Sequence, residues 1–205
     1  MSAGALAAGV MATWAAVYSQ NIVGYVNQVI PNNYVLLNNP LDNGTNDLNS
    51  LLGTLPNKST ALVWNGSSFA GSNKGGTPSV WTPDLVVPVG TGFFVKLNTG
   101  STTNTFVGTV IPASGASNTN ALPASYALVG SSLPIGTDLN DTNNAGLGLS
   151  ALPNKSTILV WNGSSYIGSN KGGSPSVWTP DLQIGVGQGF FIQSKTATNW
   201  VQSMP

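Results

Sequence analysis

The sequence predicts an all-β fold: two tandem homologous sandwich- or barrel-like domains behind an apolar N-terminal arm. Three observations carry this reading. Composition is the first. Only 6% of the 205 residues are charged, all of them Lys or Asp, against about 25% in an ordinary soluble domain. Without Glu and Arg the best exposed helix formers are missing. Thr, Val, Tyr, Phe and Trp suit pleated strands, and Asn-Gly and Pro suit turns. The second is an internal repeat. The third is the spacing of short apolar runs by turn signals, as in sandwiches and barrels.

Taken in order, Ala3 to Val17 is a small-residue apolar stretch, too short and too rich in Gly and Ala for a membrane span. It reads as the end of a secretory signal, with Ala5-Leu6-Ala7 as the best cleavage match, although no Lys precedes Lys58 to form a basic leader. Export is therefore expected. Residues 1–19 are assigned to the arm, 20–108 to the first domain and 109–205 to the second. Val23-Gly24-Tyr25-Val26 opens the first copy as a strand. Inside a domain, Asp47 to Leu52 is the helix candidate, and Ala3 to Ala16 is a second one in the arm. Ala61 to Trp64, Asn65-Gly66-Ser67-Ser68 and Phe69-Ala70 form a hairpin, because Asn-Gly supplies the positive-φ residues of a tight turn. Trp64 and Phe69 then face each other across it, as Trp161 and Tyr166 do in the second copy. Val86 to Val89 and Gly92 to Leu97 read as strands around a Gly-Thr-Gly turn. Thr105 to Val110 is another strand, and Pro112 to Asn120 is a Ser/Asn/Gly-rich linker.

The repeat is direct. Leu55-Pro56-Asn57-Lys58-Ser59-Thr60 returns at Leu152 to Thr157, Val63 to Ser68 at Val160 to Ser165, and Gly71 to Gly76 at Gly168 to Gly173. Val80 to Leu85 returns at Val177 to Leu182 and Gly92-Phe93-Phe94 at Gly189 to Phe191, all 97 residues on. Pro31 to Leu37 matches Pro123 to Val129 more loosely, 92 residues on, so an Asn/Gly-rich loop absorbs the difference. Val23 to Val26, Phe106 to Val110 and Asn199 to Gln202 echo one another. They give an order of strand, body, strand, body, strand, in which the middle strand can serve both bodies.

Tyr34-Val35-Leu36-Leu37-Asn38-Asn39-Pro40-Leu41, Val63 to Phe69 and Gly90-Thr91-Gly92-Phe93-Phe94-Val95 carry a family likeness. With Val23-Gly24-Tyr25-Val26 they resemble the Val-x-Gly-Tyr-Val, Leu-x-x-Asn-Pro-Leu, Trp-Asn-Gly-Ser-x-(Tyr/Phe) and Gly-x-Gly-Phe-Phe motifs of secreted tandem β-repeat proteins of environmental bacteria. The resemblance covers the chain after Asn21. It implies export and a β-rich surface module and implies no activity. The second copy departs at Ser132-Leu133-Pro134, where the Asn-Pro pair is lost.

The chemistry in the sequence is sparse. Net charge is zero, so no basic patch awaits nucleic acid, and a charge-poor surface favours association. The sequence has no His and no Cys, which removes Ser-His-Asp and Cys-His catalysis and thiolate zinc sites. The repeated carboxylates, Asp84 and Asp181, sit in Trp-Thr-Pro-Asp-Leu and read as turn or cap residues. Gly71 to Gly76 lacks P-loop spacing, and Gly185-x-Gly187-x-Gly189 lacks dinucleotide spacing and opens a strand. Asp42 to Asp47 and Asp138 to Asn144 cluster oxygens of the kind calcium takes, but the closing Glu of an EF-hand is missing. They are read as hydrated turns, and no cofactor is expected. Lys58, Lys155, Lys74 and Lys171 are expected in solvent or paired with Asp84 and Asp181.

The expected function is that of a non-enzymatic extracellular structural protein. Its partner is itself, joined head to tail into a filament or surface layer by β-strand addition through Val23, Tyr25, Val26, Trp200 and Val201. The alternative is a carbohydrate-binding or adhesive module for extracellular polysaccharide. Its candidate glycan platform is Trp64, Phe69, Trp81, Trp161, Tyr166 and Trp178.

Overall fold

Alternation of outward and inward side chains at the chain's first strand sets the plan of the molecule. The computed structural model describes residues 22–112, 116–142 and 147–204. The arm, with Ala5-Leu6-Ala7, lies outside the described residues. The first repeat runs β1 (Val23–Pro31), β2 (Val35–Asn38), α1 (Leu48–Leu51), β3 (Thr60–Trp64), β4 (Phe69–Gly75), β5 (Val80–Thr82), β6 (Gly92–Lys96) and β7 (Ser101–Thr109). The second follows as β8 (Ser117–Leu122), β9 (Tyr126–Gly130), β10 (Thr137–Asp138), a 3-10 turn at Leu149–Ala151, β11 (Thr157–Trp161), β12 (Tyr166–Gly172), β13 (Val177–Thr179), β14 (Gln183–Ile184), β15 (Gly189–Gln193) and β16 (Thr198–Ser203). The fold is nearly all β, as the composition predicts.

Two five-stranded antiparallel sheets dominate, in the orders β2-β6-β3-β4-β5 and β9-β15-β11-β12-β13. Their registers match position for position: Leu62 faces Phe94 in one and Leu159 faces Phe191 in the other. Each repeat adds a two-stranded ribbon, β1–β7 or β8–β16. Each ribbon turns its inner face onto its sheet. Val26, Ile30 and Phe106 pack with Leu37, Ala61, Trp81, Phe93 and Val95 in the first repeat. Leu122 and Trp200 pack with Ile158, Trp178, Phe190 and Ile192 in the second. Burying each large side chain stabilises the fold by about 1.5–3 kcal/mol.

The hairpins form as the sequence predicts. Trp64 stands opposite Phe69 with ring centroids 5.0 Å apart, and Trp161 opposite Tyr166 at 5.0 Å. In the connecting loop the Asn65 side-chain oxygen accepts from the backbone N–H groups of Ser67 (3.0 Å) and Ser68 (2.8 Å). Gly66 takes φ 101°, a conformation that side-chain-bearing residues rarely adopt. The short helix falls inside the expected window, with Asp47 as its N-cap accepting from Ser50 N–H at 2.7 Å.

Three expectations are corrected. The middle strand does not serve both bodies: β7 pairs with β1 along nine residue pairs, and a further strand, β8, begins inside the stretch read as a linker and runs past its end. A Ser-Asn-Thr-Asn run has no apolar alternation to reveal it. It is held because its backbone groups need partners, which β16 supplies. Thr109 ends the first ribbon, and Val110 packs in the first core. Val86 to Val89 is no strand. Val86 makes one bridge, to Asp47, and Pro88 has no N–H to continue a ladder.

The two repeats meet about a pseudo-two-fold axis. Leu37 bridges Gln188, and its repeat equivalent Val129 bridges Thr91, the equivalent of Gln188. Asn38 N–H donates to Gly187 O at 2.9 Å, and Gly130 N–H donates to Gly90 O at 2.9 Å. This close crossing explains the Gly-x-Gly-Phe-Phe motif. A Cβ on Gly189 would stand 2.5 Å from Leu37 O, and one on Gly92 would stand 2.8 Å from the Leu128 side chain. Gly189→Ala is therefore expected to lower stability by about 1–3 kcal/mol. Gly75→Ala, with nothing within 4 Å of its Cβ, serves as a control that stays near wild type. Urea unfolding of both variants checks this.

Candidate functional site

The aromatic residues of the sequence separate into two sets with different duties. Trp81 and Trp178 are 2% and 1% exposed. Their indole N–H groups donate to Leu52 O (3.1 Å) and Leu149 O (3.0 Å), which ties the sheet to the turn above it. These two rings belong to the core and cannot form a glycan platform, because a Trp this deep with its donor satisfied presents no face to solvent. Trp64, Phe69, Trp161 and Tyr166 lie elsewhere, over the junction of the two sheets. There they join Phe94, Phe191, Tyr34 and Tyr126, which sequence reasoning did not single out.

This junction cluster obeys the pseudo-two-fold axis. Trp64 meets Phe191 edge-on at 5.6 Å and Trp161 meets Phe94 at 5.6 Å. Phe69 meets Phe94 at 5.7 Å and Tyr166 meets Phe191 at 5.8 Å. Such pairs add about 0.5–1.5 kcal/mol each beyond their burial. The symmetry breaks at the rim. The Trp161 indole N–H donates to Tyr34 O at 2.9 Å, and the Asn33 side-chain amide donates to Gly163 O at 3.2 Å. On the other side Ser125 replaces Asn33, and the Trp64 indole nitrogen is buried without an acceptor. There Trp64, Tyr126, Leu159, Tyr166 and Phe191 line an apolar cleft of about 290 Å³. Burial of the Tyr166 phenol raises its pKa above the ordinary value.

The residues expected at an assembly joint divide by strand parity. Val23 and Tyr25 point outward and are 70% and 75% exposed. Val26 (6%) and Trp200 (0%) point inward, so they hold the chain's own cores and are closed to a neighbour. Val201 is 46% exposed. Val29 and Val107, which the period-two pattern places on the same outward face as Tyr25, were not singled out in the sequence, yet are 62% and 55% exposed.

The charged residues serve the fold. Asp84 accepts from Asn49 N–H (3.0 Å) in the first turn of α1, and Asp181 accepts from Asn140 N–H (3.1 Å) in a turn. Lys74 and Lys171 are neither solvated nor ion-paired with these carboxylates. They are 3% and 4% exposed and lie 5.9 and 5.7 Å from the ring centres of Trp81 and Trp178. A cation over an indole face is attracted by the ring's electrons. Burial holds the Lys171 ammonium below its ordinary pKa. In the Asx-rich loop, Asp42 accepts from Asn46 Nδ2 (2.7 Å) and Gly44 N–H (2.9 Å), and Asn43 Oδ1 accepts from Asn46 N–H (2.7 Å). These oxygens are engaged internally. Asn143 and Asn144 of the second Asx-rich segment lie outside the described residues.

The Asn46 and Gly44 hydrogen bonds hold the Asp42 carboxyl below its ordinary value. Their stabilisation is complete above the ordinary carboxylate range and disappears as pH falls through the lowered value. Asp42→Asn is expected to flatten that acid limb in urea midpoints measured against pH. Trp81→Ala, which empties the first core, is expected to cost about 3–5 kcal/mol. Phe69→Ala, at a ring 39% exposed, is expected to cost less.

Comparison with protein-family models, with curated proteins and with solved structures finds no match.

Proposed function

We propose that this chain is an exported, non-catalytic structural protein of two tandem homologous β-sandwich-like domains. In this reading it self-associates through its chain-end strands into a filament or surface layer. One observation carries the proposal. The first and last strands of the described residues, β1 and β16, each sit in a two-stranded ribbon outside the five-stranded sheets, and ribbons of this kind can offer strand edges to a neighbour. Addition at a ribbon edge leaves the β1–β7 and β8–β16 pairs in place. Donation of β1 itself would break nine residue pairs and uncover Val26 and Ile30. Each ladder hydrogen bond to a neighbour adds about 0.5–1.5 kcal/mol net. The signal-like Ala3 to Val17 and the motif resemblance support export. The non-catalytic reading is supported by a sequence without His or Cys and by the backbone hydrogen bonds that Asp84 and Asp181 accept.

Negative-stain electron microscopy and sedimentation of the purified full chain test this reading. Regular fibres or sheets that grow with concentration are the expected result. Single chains at every concentration would overturn it.

The junction cleft favours a second reading, an adhesive module that stacks a sugar ring on Trp64 and Tyr166. Titration with soluble oligosaccharides should then change tryptophan fluorescence, and Trp64→Ala should abolish the change. Trp81→Ala is no test of this reading, because that ring belongs to the core.

A further inference from the structure

We infer that the outward face of the β1–β7 ribbon is a pairing surface for a second copy of this chain, packed ribbon to ribbon about a two-fold axis. The inference rests on the self-association proposed above and adds to it a lateral joint between two first ribbons.

The face is built by strand parity. Val23, Tyr25, Asn27 and Val29 alternate outward on β1, opposite Thr109, Val107, Thr105 and Thr103 on β7. Val23, Tyr25, Val29 and Val107 are 70, 75, 62 and 55% exposed. Together they present about 400 Å² of apolar surface, within the range that marks an interaction site, with Val23, Tyr25 and Val107 adjoining and Val29 beyond the Asn27–Thr105 pair. The exposed Asn27, Thr103 and Thr105 widen the face toward the roughly 800 Å² per partner that a stable pair buries. Its polar groups are prepared for burial, since the Thr105 hydroxyl donates to Asn27 Oδ1 at 2.7 Å. Neither strand carries a charged side chain, so pairing strands no ion.

The second repeat supplies an internal control. At the places of Tyr25, Asn27 and Val29 its ribbon carries Ser117, Thr119 and Ala121, 92 residues on. On β16, Asn199, Val201 and Ser203 point outward. The chain thus has one apolar ribbon face and one polar one. A head-to-tail contact between unlike ribbons would bury the apolar face against a polar surface. Among contacts between these ribbons, first against first alone covers apolar surface on both sides, and such a contact is self-complementary and closes as a two-fold pair. Two ribbon faces stacked this way would form a small four-stranded sandwich at the usual sheet spacing.

The sequence contains no cysteine, so single introduced thiols report cleanly. Thr103→Cys places a thiol on the apolar face without removing its apolar side chains, and Thr119→Cys places one on the polar ribbon. With a short bismaleimide on the full-length protein, Thr103→Cys is expected to give a covalent two-chain species, and Thr119→Cys is not. Tyr25→Lys on the Thr103→Cys background should abolish the cross-link. Alone, with an unchanged far-ultraviolet spectrum, it should weaken dimerisation in sedimentation by more than about tenfold, the effect of losing an aromatic anchor. Cross-linking only in a mixture of the two thiol variants would show the ribbons meeting head to tail. That would overturn the two-fold pairing and leave self-association standing. Uncross-linked single chains for every variant and for the parent protein would overturn both.

Discussion

The rest of the structure depends on the close crossing of two sheet edges at the centre of the chain. An edge strand exposes a row of unpaired N–H and C=O groups. Here β2 and β9, the edges of the two large sheets, cover one another's repeat. β2 meets the entry to β15, and β9 meets the entry to β6. The approach is too close for side chains, which is why Gly92 and Gly189 stand at the start of those strands. The glycines, the phenylalanines that follow them and the tryptophans of the neighbouring hairpins form one device. The glycine admits the other repeat's backbone, and Phe94, Phe191, Trp64 and Trp161 seal the junction.

A chain with so few charges must take its stability from burial and from neutral hydrogen bonds. Side-chain amides do much of the work that ion pairs do elsewhere. Asn39 ties Asn46 and Val87 together, Asn38 reaches Ser131 across the repeats, and Gln202 receives both the N–H and the hydroxyl of Ser132. The two deeply buried lysines fit the same economy. Each lies near an indole ring and points its ammonium toward a loop carbonyl, Ser79 O or Ser176 O.

Much of this was legible in the sequence. The repeat located equivalent positions, and the hairpin, its aromatic pair and the N-capped turn of helix could be read from Asn-Gly, Trp/Phe spacing and Asp47. Other features were hidden for identifiable reasons. β8 is polar throughout except for its last two residues and carries no alternating signal, so only its partner β16 defines it. Core and surface tryptophans look alike in sequence. Trp81 sits on a three-residue strand and Trp64 ends a five-residue one, and their opposite fates follow from which sheet face each meets. At the joint, Val26 was grouped with Tyr25 although adjacent strand residues point to opposite faces.

The two copies share their interiors and differ on the outer faces of their ribbons. Trp81 and Trp178, Phe93 and Phe190, and Lys74 and Lys171 hold equivalent places and equivalent burial. Tyr25 and Val29, by contrast, stand where the second copy has Ser117 and Ala121, and Asn33 stands where it has Ser125. Fold stability alone does not ask for these outward differences, because neither ribbon needs its outer face to pack on its own sheet. An apolar outer face costs solubility unless something covers it. One copy carries a largely apolar outer ribbon face and the other a largely polar one. The shared interior fixes the fold of both copies, and the outward side chains of the ribbons can differ without disturbing it.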